Sequence, residues 1–277
     1  MELLLGKRSV DVTHRALVMG ILNRTRDSFF DGGSCYRLED LLVRADELVR
    51  DGADILDVGA RPGGVGVQEV SEAEETDLAA STVAALRCRF DVPLSIDTRR
   101  ACVAAEAYRA GAVLGNDMSG FADPDYLPTA AAATASVIAT HIRLPPGVPD
   151  PEPHYDDLIG DVIGRLRDLA ARATATGLDP RQVILDPGLD LGKTWRQSVA
   201  LLAHLDAFAA LGHPLLAAPS NKIFLGRLLD REPADRGPAT IAACALAVAK
   251  GARVVRVHSA AGVRDAVDLA TALDAER

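Results

Sequence analysis

The stretch 93-PLSIDTRRACVAAEAYRAGAVLGN-116 contains the unit from which the rest of the chain is built. Two short apolar runs, 93–97 and 112–116, flank an Ala- and Arg-rich segment, 99–111. Apolar runs without alternation are the mark of strands covered on both faces. Parallel neighbours need a connection of about a dozen residues, which a helix supplies. The same unit recurs on either side, with runs at 16-ALVMGIL-22, 54-DILDV-58, 136-SVIAT-140, 182-QVILD-186, 214-PLLAA-218 and 253-RVVRV-257. The stretches between them, such as 39-EDLLVRADELVRDG-52 and 160-GDVIGRLRDLAARATATG-177, are rich in helix formers. Strand then helix, repeated around a closed sheet, predicts an α/β protein with a (β/α)8 TIM barrel, and residues 1–277 read as a single domain.

In that architecture the carboxyl ends of the strands build the active site. The runs here deliver Asn23, Asp57, Asp97, Asn116, His141, Asp186, Ser220 with Lys222, and Arg256 with His258. Such a set describes a polar pocket for an anionic, hydrogen-bonding substrate. Asp97 could cap the helix that follows, but Thr98 can do that too, which leaves the carboxylate for the barrel mouth. Asn116 could form a turn with Asp117, or read the edge of a heterocycle, since an amide both donates and accepts. Asp186 is followed by Pro187 and Gly188, a turn that leaves its carboxylate at the mouth. Two carboxylates, Asp97 and Asp186, in one pocket would bind an N–H-rich ring and stabilise positive charge on it. Lys222 could be a Schiff-base nucleophile, a phosphate ligand, a donor to a ring carbonyl, or a solvated loop lysine. Arg256 and His258 share one face of the last strand by their spacing. With Asn23 from the neighbouring first strand they predict a diphosphate or metal–diphosphate site. Gly192-Lys193-Thr194 resembles the end of a phosphate loop, but the spacing before it does not fit.

A net charge of −9 argues against nucleic acid as a partner. The four cysteines form no CxxC pair, and no stretch approaches 18 uninterrupted apolar residues, so a soluble protein of the reducing cytoplasm, with no membrane partner, is expected. The Pro-rich segment 144-LPPGVPDPEPHYDD-157 reads as a loop at the barrel mouth rather than a linker. Two Gly-rich loops, 23–36 and 59–75, emerge at the same end.

The motifs MGILNRTRDSFFDGG, LSIDT, GNDMSG, ILDPGLDLGKT, PSNKIFLG and GARVVRVH, in this order over nearly the whole chain, resemble those of the dihydropteroate synthase family. That family uses a (β/α)8 barrel to join 6-hydroxymethyl-7,8-dihydropterin diphosphate to 4-aminobenzoate in folate biosynthesis. The resemblance implies that Asp97, Asn116, Asp186 and Lys222 bind the pterin, with Asp97, Asp186 and Lys222 catalytic. It implies that Asn23, Arg256 and His258 bind the diphosphate, and that Asn23 meets a Mg2+ cofactor. Thr25, Arg61, Pro62, Ser220 and Asn221 would lie on the loop and aminobenzoate side, and the chain would form a homodimer. The implied reaction is dissociative, with a pterin methylene cation attacked by the aniline nitrogen. Departures from the family pattern occur at Arg26, at a shortened loop after the second run, at Asp190 and Leu191 (in place of Gly and Phe), at Asn221 (in place of Arg) and at Ser259 (in place of Asp). They fall on the lid and aminobenzoate side. Two alternatives therefore stand beside the synthase reading: a paralogue that binds a pterin or sulfone without efficient turnover, and a methyltetrahydrofolate-binding methyltransferase domain.

Overall fold

A computed structural model of the chain describes residues 1–25, 36–61 and 70–276. The expectations attached to Arg26 and Pro62 lie outside the described residues, as do most of the two Gly-rich loops. A hairpin, β1 (Glu2–Leu5) and β2 (Arg8–Asp11), precedes the barrel. There follow β3 (Leu17–Asn23), α1 (Leu38–Arg50), β4 (Ile55–Gly59), α2 (Glu72–Arg89), β5 (Leu94–Asp97), α3 (Ala101–Ala110), β6 (Leu114–Asp117), α4 (Tyr126–Ala132) and β7 (Ser136–Thr140). The second half holds α5 (Leu158–Ala175), β8 (Val183–Asp186), α6 (Trp195–Ala203), α7 (Leu205–Ala209), β9 (Leu216–Ala217), α8 (Ile223–Leu229), α9 (Gly237–Ala249), β10 (Val254–Val257) and α10 (Val263–Ala275).

Strands β3 to β10 form one parallel sheet in the order β8-β7-β6-β5-β4-β3-β10-β9. A single parallel bridge, Leu185 to Leu215, brings its two edges together. The expected (β/α)8 barrel is therefore present, with β9 as its shortest stave.

The inside of the barrel is graded. Its lower part is an apolar cluster of Leu17, Met19, Ile55, Leu114, Ile138, Ile184, Leu216 and Val254. Leu3 and Leu5 of the hairpin and Val12 pack into the same cluster, so the amino-terminal end is plugged. Because side chains alternate along a strand, the inward position two residues on is often polar: Asp57 follows Ile55, Asn116 follows Leu114, Asp186 follows Ile184 and Arg256 follows Val254. The outward positions, such as Val58, Ile96, Val137, Leu185 and Val255, pack against the helices. One end of the barrel is thus dry and closed and the other polar and open, as a binding mouth requires.

Local chemistry sets the helices. In α1 the buried side chains Leu41, Ala45 and Leu48 recur at helical spacing. The Ser71 side chain caps α2, Asp157 caps α5, and α3 stops at Gly111, whose φ of 117° suits only glycine. Thr194 and Gln197 form a capping box at α6, so the Lys193-Thr194 pair starts a helix rather than cradling a phosphate. No helix among the described residues is long and apolar enough to cross a membrane.

Candidate active site

The open end of the barrel is organised around Arg256. Its Nε donates to Asp57 Oδ2 at 2.6 Å and its Nη2 to Asp97 Oδ2 at 2.6 Å. Asn116 Nδ2 donates to the same Asp57 oxygen at 3.0 Å. Four side chains from β10, β4, β5 and β6 therefore form one network across the floor of the mouth. Asp57 is fully buried, and Asp97 is partly buried, with 19% of its side chain exposed. Burial pushes the Asp97 carboxyl up to about 6, against the pull of Arg256 and with a further push from Asp57. For Arg256, burial works against the cation, but Asp57 and Asp97 outweigh it and its pKa is raised.

Asp97 is not the helix cap before α3. Thr98 Oγ1 accepts the Arg100 backbone N–H at 3.2 Å and donates to Glu75 Oε1 at 2.6 Å. Glu75 is fully buried and is also reached by Arg100 Nη1 at 2.7 Å. Asp117 makes the turn after β6, accepting the N–H groups of Ser119 and Phe121, and leaves Asn116 to face inward.

Opposite this network lies a second group built from β7, β8 and the segment after β9. The Asp186 carboxylate is buried, accepts the Gly188 N–H at 2.8 Å, and has its pKa raised by burial while Lys222 pulls it down. Gly188 has φ 71°, and a Cβ there would strike the His141 carbonyl oxygen, so only glycine makes this turn. Lys222 Nζ donates to the Leu189 carbonyl, and its pKa is lowered by burial, with Asp186 opposing. Lys193 is also buried: its Nζ donates to Leu191 O at 2.9 Å and meets His141 Nδ1 at 2.9 Å. Burial brings Lys193 down to about 7, and burial with the adjacent Lys193 brings His141 down to about 3. His141 is therefore neutral and accepts through Nδ1. The motif spacing gave no sign of this pair, because nothing in Gly192-Lys193-Thr194 signals that the ammonium turns inward.

The third group sits where β10 meets β3. His258 N–H donates to Ser220 Oγ at 3.1 Å, and Ser220 Oγ lies 3.0 Å from His258 Nδ1. A hydroxyl that accepts from the backbone has its proton left for Nδ1, which fits the tautomer protonated at Nε2. Asn23 closes β3 beside Gly59, and a Cβ added to Gly59 would stand 2.7 Å from Asn23 Oδ1. The missing side chain at Gly59 is what lets the Asn23 amide occupy this place. Among the described residues no three His, Cys, Asp or Glu side chains gather as a metal cage. One neutral amide oxygen suits Mg2+, which keeps water and substrate-phosphate ligands and needs few from the protein.

The remaining candidates are distributed unevenly. Thr25 is buried at the end of β3, and Arg61 stands just past β4, where burial and Arg99 lower its pKa. Asn221 is tied to the helix α9. Its backbone is left-handed (φ 54°), its N–H donates to Thr240 Oγ1 at 3.1 Å, and its amide oxygen lies 3.4 Å from the same hydroxyl on α9. Arg256, expected to serve an anion with Asn23 and His258, has its guanidinium engaged by two carboxylates. The Pro-rich segment docks at the mouth: Tyr155 Oη donates to Gly192 O at 2.9 Å and Arg143 pairs with Asp150 at 3.0 Å.

A plugged barrel with carboxylates, an amide and two lysines converging at its open end fits a class: a (β/α)8 enzyme with a polar, hydrogen-bonding mouth. A family model described as pterin binding enzyme matches residues 19–258. The chain is 40% identical to the dihydropteroate synthase of Synechocystis sp. over 97% of its own length and 93% of the relative. It is 38% identical to that of Bacillus subtilis, over 94% and 88%. Its fold is similar to the Yersinia pestis dihydropteroate synthase in complex with a sulfonamide drug (TM-score 0.94, 36% identity, 99% and 100% coverage). It is also similar to the Xanthomonas albilineans dihydropteroate synthase with 4-aminobenzoic acid (TM-score 0.89, 34% identity, 99% and 98% coverage). The chain belongs to the dihydropteroate synthase family.

Proposed function

We propose that the protein condenses 6-hydroxymethyl-7,8-dihydropterin diphosphate with 4-aminobenzoate, releasing diphosphate and forming dihydropteroate. The observation that carries this reading is the pair of carboxylates, half-buried Asp97 and buried Asp186, each held beside a cation on the floor of one mouth. Two fixed acceptors of this kind bind a ring rich in N–H groups, and Asn116, able to donate and accept, reads the edge between them. Lys222 donates to the ring carbonyl. As the C–O bond to diphosphate breaks, positive charge grows on the pterin methylene, and the two carboxylates, already held in place by their hydrogen bonds, stabilise it. His258 and Asn23 take the departing anion, with Arg256 contributing its field from behind Asp97. Asn23 would hold the Mg2+ that accompanies the diphosphate and neutralises part of its charge. The 4-aminobenzoate nitrogen then attacks the methylene carbon and loses a proton; Thr25, Arg61 and Ser220 border the side from which it comes.

Six exposed apolar side chains on α8, α9 and α10 support a homodimer: Ile223, Leu228, Leu229, Leu246, Leu269 and Leu273. The free thiols of Cys88, Cys102 and Cys244 support a cytoplasmic setting. The deciding experiment is turnover with both substrates and Mg2+, following dihydropteroate and diphosphate together. Both products are expected. Diphosphate alone would mean a different nucleophile, and neither product would favour a pterin-binding paralogue without turnover.

A further inference from the structure

Asp190 stands in the loop between β8 and α6 with a left-handed backbone, φ 61°. A non-glycine residue there costs about 1 kcal/mol, although Asp tolerates it better than most. Its side chain has a use for that conformation. Ser198 Oγ on α6 donates to Asp190 Oδ1 at 2.8 Å and accepts the Asp190 N–H at 3.0 Å. The other carboxylate oxygen, Oδ2, accepts the backbone N–H of Phe224 at 3.2 Å. Phe224 is fully buried in the first turn of α8. The residue at the start of that helix is Lys222, which has no side-chain cap of its own.

One carboxylate therefore ties three pieces together: the β8–α6 loop, α6 and the opening of α8. Lys222 returns the connection, its Nζ donating to the carbonyl of Leu189, the residue before Asp190. The loop and the start of α8 are linked twice, once from Asp190 to the Phe224 N–H and once from Leu189 to the Lys222 ammonium. We propose that Asp190 is the positioning residue for Lys222, setting where its ammonium stands beside Asp186. It touches neither ring nor diphosphate, and acts through Lys222. This rests on the reading that Lys222 binds the pterin. The charges around Lys222 Nζ are Asp186 from β8, Asp190 from the loop, Arg256 from β10, and Lys193, which is itself influenced by Lys222. Removing Asp190 withdraws one of two anions that favour the ammonium.

The test uses Asp190→Gly, which keeps the left-handed turn and removes the carboxylate, and Asp190→Asn, which keeps an acceptor but loses the charge. Pterin diphosphate KM, kcat and the pH profile are measured in these, in Lys222→Met, and in the double variant Asp190→Gly/Lys222→Met. Asp190→Gly is expected to lower kcat/KM about tenfold, the scale of a lost charged hydrogen bond. Asp190→Asn should recover part of that loss. In both, the alkaline limb should move to lower pH. Adding Asp190→Gly to Lys222→Met should cost nothing further, because the two act as one unit. Additive losses in the double variant, or an unmoved alkaline limb, overturn the positioning role. A Lys222→Met protein with wild-type KM and kcat overturns instead the reading of Lys222 on which it depends. Should Asp190→Gly fold poorly, Asp190→Asn and Ser198→Ala carry the same comparison.

Discussion

Asp97 shows how a single residue can be tuned by its place in the fold. Burial holds its carboxyl up near 6, and the proposed chemistry needs the charged form. Below that pH the proton-bound acid predominates, so kcat/KM for the pterin diphosphate should fall as pH drops through about 6. Above it the acid limb should be flat. Asp97→Asn should lose about 100-fold or more in kcat, and the residual activity should no longer show that limb. A limb that persists in the variant belongs to another group. Gly59 offers a different kind of test, since its role is to leave room. Gly59→Ala puts a methyl 2.7 Å from Asn23 Oδ1 and forces that amide to move. The expected result is a raised KM for the diphosphate substrate and a raised Mg2+ requirement, with the thermal transition little changed. An unaffected Mg2+ titration would mean that Asn23 is not where the metal meets the protein.

Among the elements, the strands were the most legible in the sequence. Each apolar run became a strand with a shift of a residue or two at its ends, because burial on both faces leaves an unambiguous pattern. The run 214–218 shrank most, to the two residues Leu216–Ala217, since on its β8 side it makes only the single bridge from Leu215 to Leu185. The amino-terminal hairpin went unread: four apolar letters before Gly6 give no hint that they plug a barrel. The site was legible as a set of residue types at strand ends, and less so as a network. That Arg256 would bond Asp57 and Asp97 depends on contacts across 199 and 159 residues, which no local spacing encodes. The contact of Asn221 with Thr240 was hidden for a similar reason, its partner lying on a helix further along. The helical layer yields its own prediction. Leu48 of α1 is buried in the cluster that joins α1 to β3 and β4. Leu48→Ala should lower unfolding stability by about 2–5 kcal/mol, measured by urea titration, while leaving the KM values near wild type. A large KM change would show that α1 does more than support its strands.

At the scale of the whole molecule, the exposed leucines of α9 and α10 set the expectation. Leu246, Leu269 and Leu273 are each more than half exposed, an arrangement that a monomer gains nothing from. Sedimentation equilibrium should give a dimer, and Leu246→Glu with Leu273→Glu should convert it to a monomer that retains the barrel's circular dichroism. A wild-type monomer at micromolar concentration would remove the dimer from the picture. The ion network at the mouth also bears on how the molecule comes into being. Asp57 is made 199 residues ahead of the arginine that neutralises it. At about 5–20 residues per second on the ribosome, the acid waits roughly 10–40 s for its counter-ion. The last strand to be synthesised is thus the one that brings the counter-ion to Asp57 and Asp97.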